Sequence, residues 1–512
     1  MTAKKRLLCY NMFPRCYHNI AAMTHDIGRI AQMGFNTVHL NPLNVSGKKI
    51  KEGSDKFGSL YATLDYTQIH PAFSMGQAGD TDQSARAKDA AALKALAAEA
   101  HGHGMRVIGD LVLNHCARDS ALVAGTDEHF ITLGIDTSRW FKRYADGRLA
   151  TEGLDEHVNS VPGRNYVWDD VAAFDYSDPK IAHEIVQHLW KPLITRMMNE
   201  QDFDGARLDA AALVPKDVVK EICDHIRSCS KGHEPIILAE TLGGEVSHHL
   251  GLGKDSGITH VTNSSFWTPK QNGPGMDYLA KHRPQHYQHG DTCRSFWEEG
   301  NNWFCEQTGQ LATITGQRGG TIGLTGSWDQ VNYARDMLKN GISPNSPAFT
   351  QSMREHMANT ALLSDAGWMV SHGDEFCDTS VKSVFDNPGE TPQLHADLSG
   401  FVAKVNAVLG ALPTIEAGTA RRLFLPHRSD VAVFARPQAH GQGCDIVAVN
   451  LVEKPLTLSA GEQRHLRKQT QQLTGTQASI SLHKVGDIHF EPLLEPPAPR
   501  GARSRELAGI AR

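Results

Sequence analysis

Nine cysteines in 512 residues, odd in number and without a single CxxC, argue against a cysteine-built framework. Disulfide scaffolds are small secreted domains and zinc sites need tighter ligand spacing. Cys223 and Cys229, on one helical stretch, are the closest regular pair, and reduced buried thiols are the reading left. No apolar run approaches the ~20 residues of a membrane span. The N-terminal Lys4-Lys5-Arg6-Leu7-Leu8-Cys9-Tyr10 has a four-residue apolar run before Asn11, which reads as a first strand and not as a signal peptide. We therefore expect a cytoplasmic protein with no membrane partner. A surplus of one charge is missing as well: the net charge of -6 gives no electrostatic ground for binding nucleic acid. Internal repeats and low-complexity tracts are absent. The hydrophobic fraction of 40% and charged fraction of 21% describe an ordinary globular chain, and its length leaves room for two or three domains.

Short apolar runs alternate with amphipathic helical stretches from the start, the pattern of repeated βα units. Strands are expected at Arg6–Tyr10, Thr37–Leu40, Met105–Leu111, before Asp209, before Glu240, at Ile258–Thr262, near Ile322–Leu324 and at Trp368–Val370. Helices are expected at Thr24–Met33 and over the Ala-rich Ser84–His103. Eight such units over some 400 residues fit an α/β fold, a (β/α)8 barrel with insertions. This assigns the barrel to 1–115 and 178–411. The long stretch 116–177 is too long for a structureless loop and is expected to be a small inserted domain. A second insertion is expected at Trp267–Gly320. Alternating short strands at Arg422–Leu425, Val431–Ala435 and Asp445–Asn450 predict a separate antiparallel β domain over 412–496, and the tail 497–512 is expected to be disordered.

Three segments end an apolar run in an acid: Gly109-Asp110-Leu-Val-Leu-Asn114-His115, Gly205-Ala-Arg207-Leu-Asp209-Ala210 and Ile236-Ile-Leu-Ala-Glu240. The carboxyl ends of barrel strands are where chemistry sits. An Asp and a Glu from neighbouring strands are what cleavage of a glycosidic acetal needs, one as nucleophile and one as proton donor. Arg207, two residues before Asp209, faces the same side of its strand because side chains alternate.

These segments resemble motifs of the α-amylase family, glycoside hydrolase family 13, in order over about 400 residues. Asp110…Asn114-His115 is similar to its first motif, Gly205-Ala-Arg207-Leu-Asp209-Ala210 to its nucleophile motif and Ala239-Glu240 to its acid motif. Trp328-Asp329 matches the family's His-Asp pair, Gly373-Asp374-Glu375 the Gly-Asp-Glu after strand eight, and Tyr61 the stacking tyrosine after strand two. The resemblance implies a TIM barrel with an inserted B domain after strand 3 and a C-terminal antiparallel β domain. It implies a retaining mechanism with Asp209 as nucleophile, Glu240 as general acid/base and Asp329 gripping the sugar's 2- and 3-hydroxyls. Arg207 would hold Asp209, His115 would bond the 6-hydroxyl, Tyr61 would stack under the ring, and Trp328 would stand beside Asp329. Asp110 reads as structural, helping to hold the loop and Arg207. Asn114 is a calcium ligand in many relatives, so calcium is a candidate cofactor, although none is required.

Blander readings remain beside these. Asn114-His115 could cap the next helix, Tyr61 could be a packing aromatic, Asp374-Glu375 reads as a loop-fixing pair, and Trp267 and the aromatics at 299–304 read as core. Trp328 replaces the histidine of the fourth motif, and Ala-Ala-Ala-Leu follows Asp209 where many endo-acting relatives carry Lys-His. The expected partner is an oligosaccharide or α-glucan. Hydrolysis of α-glucosidic bonds is the leading activity. A glycosyltransferase, such as a maltosyltransferase, is the alternative, and a non-catalytic glucan binder is a third class.

Overall fold

The computed structural model describes residues 6–48, 58–150, 170–241, 249–263, 293–316, 318–326, 333–339, 341–380, 384, 392–439, 443–474 and 479–492. Eight parallel strands close into a barrel: Leu7–Met12, Thr37–Leu40, Arg106–Val112, Gly205–Asp209, Ile236–Ala239, His260–Asn263, Gly320–Leu324 and Gly367–Ser371. They lie in chain order around the ring, and the first pairs with the last from Leu7↔Gly367 to Asn11↔Ser371. Each expected strand is present, with ends displaced by no more than two residues.

Three of the helices between the strands start where the sequence supplies a cap. Asn19 accepts from the Ala22 amide at the head of Ile20–Gln32, and Thr81 from the Ser84 amide at the head of Asp82–Gly102. Asp178 caps Pro179–Ile185, whose proline takes the first helical position, where no amide is needed. Gly205 opens the fourth strand at φ +155°, and a Cβ there would collide with the Ile236 carbonyl, so the close approach of strands four and five requires glycine.

Alternation along the strands sorts the barrel interior into two levels. Leu7, Cys9, Ile108, Ile236, Leu238, Ile322, Leu324 and Met369 form an apolar floor. Above it, at the next inward positions, stand the buried side chains of Asn11, His39, Asn41, Asp110, Arg207, Asp209 and Glu240. The outer faces, such as Leu8, Tyr10, Val38, Val107 and Leu208, pack into the main core beneath the helices.

The stretch after strand three is a small irregular unit. His115–Ala117 pairs antiparallel with Val171–Ala173, and short helical turns at Ala121–Ala124, Glu128–Thr132 and Thr137–Trp140 lie between them. Beyond the barrel, Arg421–Leu423, Val431–Pro437 and Gly443–Asn450 form the expected antiparallel strands. A fourth strand, Ser479–Val485, joins parallel to Gly443–Asn450. Helix Ala460–Thr474, which the sequence reading did not foresee, makes the crossover that a parallel neighbour needs. Trp267, most of the second insertion and the tail 497–512 lie outside the described residues, whereas Phe304 is fully buried in the core, as its reading as core has it. Among the described residues no helix is long and apolar enough to cross a membrane.

Candidate active site

Strand register assembles the charged cluster. Asp110 lies level with Arg207 across strands three and four, and Leu208 level with Ala239 across strands four and five. Glu240, one residue beyond, donates its amide to the Leu208 carbonyl at 3.0 Å and so arrives beside Asp209. One guanidinium reaches all three acids. Arg207 Nη1 donates to Asp110 Oδ1 at 2.9 Å and to Asp209 Oδ1 at 2.5 Å, while Nη2 is paired with Glu240 Oε1. Asp209 and Glu240 retain only 7% and 6% of their surface, so water screens little of this interaction.

Three carboxyls around one arginine cannot all be charged without penalty, and their surroundings separate them. Burial pushes the Glu240 carboxyl up to about 8; Arg207 opposes this, and the charge of Asp209 adds to it. For Asp110 burial pushes the same way, but Arg207 and the hydrogen bond from His39 outweigh it and hold the group below the ordinary carboxylate range. Despite its burial, Arg207 is held well above its ordinary range by Asp110, Glu240, Tyr61 and Asp209. Of the two acids whose shifts are resolved, Glu240 is pushed toward its protonated form and Asp110 toward its ionised form.

The backbone adds a donor. Ala210 has φ 45°, in the left-handed region that a non-glycine residue occupies at a cost of about 1–2 kcal/mol. This turn aims the Ala210 amide at Glu240 Oε2, 3.0 Å away. Local strain of this kind collects at sites where geometry is held for a purpose.

Tyr61 lies against the same cluster. Its hydroxyl donates to Asp110 Oδ2 at 3.2 Å and accepts from Asn41 Nδ2 at 2.7 Å, and the Arg207 guanidinium stands 5.3 Å from its ring centre. His115 is buried, and burial lowers its ring to about 4, leaving it neutral. Its ring already bonds the Tyr61 backbone, and Nδ1 lies 3.3 Å from Asn114 Nδ2. A sugar hydroxyl at this imidazole would have to displace one of those partners.

Trp328 and Asp329 lie outside the described residues. Asp374 accepts from Thr325 Oγ1 at 2.6 Å, and Glu375 accepts from Tyr10, Arg29 and the Gly373 amide. Both are taken up in holding the turn after strand eight. Asn114 Nδ2 lies 3.3 Å from His115 Nδ1, and among the described residues no group of three His, Cys, Asp or Glu is arranged to hold a metal.

Two participants escaped the sequence reading. His39 Nε2 lies 3.2 Å from Asp110 Oδ2, and Asn11 Nδ2 lies 2.9 Å from His39 Nδ1. The available signal was period-two alternation: Asn11, His39 and Asn41 fall at inward positions of otherwise apolar strands.

Residues 20–236 match the family model of the alpha-amylase catalytic domain. No curated protein matches the chain. Among solved structures, an α-amylase from Lactobacillus plantarum is 23% identical, covering 85% of this chain and 89% of that one at a TM-score of 0.54. The cyclic α-maltosyl-(1→6)-maltose hydrolase of Arthrobacter globiformis is 16% identical over 85% and 89%, at 0.53. A debranching enzyme of Nostoc punctiforme is 16% identical over 89% and 90%, at 0.55. At such identities the likeness speaks for the fold; the family match adds the catalytic domain. The matched segment contains Asp110, Arg207 and Asp209, and over it the chain is similar to the α-amylase catalytic domain.

Proposed function

We propose that this chain is a retaining glycosidase that cleaves α-glucosidic bonds in an oligosaccharide or α-glucan. One observation carries the reading: a single buried arginine grips two neighbouring carboxyls, Asp209 and Glu240, and burial pushes that of Glu240 up. Asp209 would attack the anomeric carbon as the bond to the leaving oxygen breaks, and Glu240 would give that oxygen its proton. Glu240, now a carboxylate, would take a proton from the incoming hydroxyl, which attacks the same carbon and releases Asp209. Arg207 keeps Asp209 ionised by charge and by a 2.5 Å hydrogen bond. Asp329 is proposed to hold ring hydroxyls and Tyr61 to pack under the ring.

When the incoming hydroxyl belongs to water the reaction is hydrolysis, and when it belongs to a second sugar it is glycosyl transfer. The segment after Asp209 favours keeping transfer as a second reading. Ala211–Leu213 forms a short apolar turn with Ala211 buried, and it places no charged side chain where an ordinary acceptor subsite would use one. Cytoplasmic residence belongs to the same proposal, supported by eight described cysteines that are all free thiols.

Incubation with maltoheptaose, with and without maltose, tests both readings by product mass. Rising reducing ends mean hydrolysis, and longer and shorter oligomers at constant reducing ends mean transfer. Asp209→Asn is expected to abolish turnover by about 10⁴-fold or more while the fold persists. Undiminished turnover in that variant would sink the assignment of Asp209 as nucleophile, and no turnover in the native chain would leave a glucan-binding relative.

A further inference from the structure

We propose that His39 and Asn11 are positioning residues, which lock Asp110, and through it Arg207, into one proton-ordered arrangement beneath Asp209 and Glu240. The inference rests on the glycosidase reading of the site and concerns groups that touch no substrate.

The proton order follows from what each atom can do. The amide nitrogen of Asn11 only donates. It lies 2.7 Å from Asn41 Oδ1, 3.3 Å from the His39 carbonyl oxygen and 2.9 Å from His39 Nδ1. Two of these neighbours are oxygens that only accept, so the amide nitrogen, and not its oxygen, must face this corner. His39 Nδ1 must then offer a lone pair, and the neutral ring carries its proton on Nε2. That N–H is 3.2 Å from Asp110 Oδ2.

A second arm reaches the same oxygen. Asn41 has its oxygen taken by Asn11, so its nitrogen donates to the Tyr61 hydroxyl at 2.7 Å. The hydroxyl places its own proton on Asp110 Oδ2 at 3.2 Å. Asn11 is thus the root of a fork whose two prongs, His39 and Asn41–Tyr61, both end as donors on one carboxylate oxygen. Arg207 Nη1 spans both oxygens of Asp110 at 2.9 and 3.1 Å. Asn11 and His39 are 3% and 2% exposed, so no bulk water can stand in for a missing donor.

The opposite tautomer would set two N–H groups against each other at Asn11 and a bare nitrogen against the Asp110 carboxylate. The burial of the ring also disfavours a second proton, although Asp110 opposes that. Loss of the His39 donor would leave Asp110 under-bonded. Its charge would draw Arg207 toward itself and loosen the guanidinium's hold on Glu240, the partner at its far end.

Nitrogen-15 NMR on the full chain with labelled histidine, with His39 assigned from the His39→Gln difference spectrum, reads the tautomer directly. A protonated Nε2 and bare Nδ1 near pH 7 are expected, and a proton on Nδ1 or on both nitrogens would overturn the proposal. Kinetics on maltoheptaose give the second readout. His39→Leu removes the donor, whereas His39→Gln keeps an amide N–H for Asp110. The leucine variant is expected to lower kcat about 10-fold or more with KM within about two-fold, since a displaced positioning group acts on the chemical step. Its alkaline limb is expected to move up by about half a pH unit, because Arg207 holds Glu240's ionised form less well. Glutamine is expected to restore most of both. Equal losses in the two variants, or an unmoved alkaline limb with leucine, would overturn the proposal. Should the leucine variant not fold, Asn11→Asp, which accepts where the amide donated, must drive a proton onto Nδ1, and an unchanged tautomer there is equally fatal. If the native chain turns over no α-glucoside, the glycosidase reading fails, while the NMR result still decides the proton order.

Discussion

Two polar clusters of nearly the same ingredients sit at the carboxyl end of this barrel, one inside the ring and one outside it. Inside, Arg207 meets Asp110, Asp209 and Glu240, with Tyr61 and His39 attached. Outside, Arg29 meets Asp26 and Glu375, with Tyr10, Tyr17 and His372 attached. The difference is one carboxyl. Arg29 shares its charge between two acids; burial works against the ionised Asp26, but Arg29 and the Tyr17 hydroxyl still hold it below its usual range. Arg207 faces three acids, and there burial, with the charge of Asp209 added, pushes the Glu240 carboxyl up to about 8 against the pull of the arginine. A balanced cluster ties helix Ile20–Gln32 and strand one to the turn after strand eight. The inner one holds one of its acids above the ordinary carboxylate range.

Exchanging one acid for its amide in each cluster should break the comparison most visibly. Glu240→Gln is expected to lower kcat by about 10²–10⁴-fold, the usual worth of a general acid. Glu375→Gln should instead lower stability by about 2 kcal/mol, less than the 3–5 of a sealed ion pair because Arg29 is 30% exposed. Denaturant unfolding and initial rates on the same preparations separate the two outcomes. A large rate loss in Glu375→Gln at native stability would show that the outer cluster is more than a fastener.

The dependence on pH sharpens the contrast. Glu240 must hold its proton to act as acid, so kcat is expected to fall as pH rises through about 8, and a rate profile checks this. Its folded value lies above the ordinary 4.5, so its contribution to stability is complete below that pH and is lost as pH rises toward 8. His115 runs the other way. Its folded value near 4 lies below the ordinary 6.5, so its contribution is present above 6.5 and is lost as pH falls toward 4. Unfolding midpoints across this range should flatten on the alkaline side in Glu240→Gln.

The smallest expected effect is at Ala210. Glycine there relieves the left-handed backbone but adds freedom to the unfolded chain, so stability should change by less than about 1 kcal/mol. A fall in kcat of a few-fold would report a loosened amide at Glu240, measured alongside the unfolding midpoint.

The barrel was legible because each strand is a short apolar run that stops at a polar residue, and several helices between carry their caps in the sequence. Arg207, Asp209 and Glu240 were legible because alternation places the arginine and the aspartate on one side and register brings the glutamate level. His39 was not, since one imidazole in Thr-Val-His-Leu looks like a core residue until Asp110 is seen 3.2 Å away. The parallel strand Ser479–Val485 was hidden because its partner lies across a Gln-rich helix, and alternation says nothing of strand direction.

On strands one, three and five the apolar floor and the polar tier of the barrel stand two residues apart. Heritable change can therefore reach them independently. Ile108, Leu238 or Met369 can be exchanged for another aliphatic of similar volume without touching a single donor above. A lineage carrying this barrel could adapt to a hotter or colder habitat from below while its reaction stays the same, and it could acquire a new sugar preference from above while its melting behaviour stays the same.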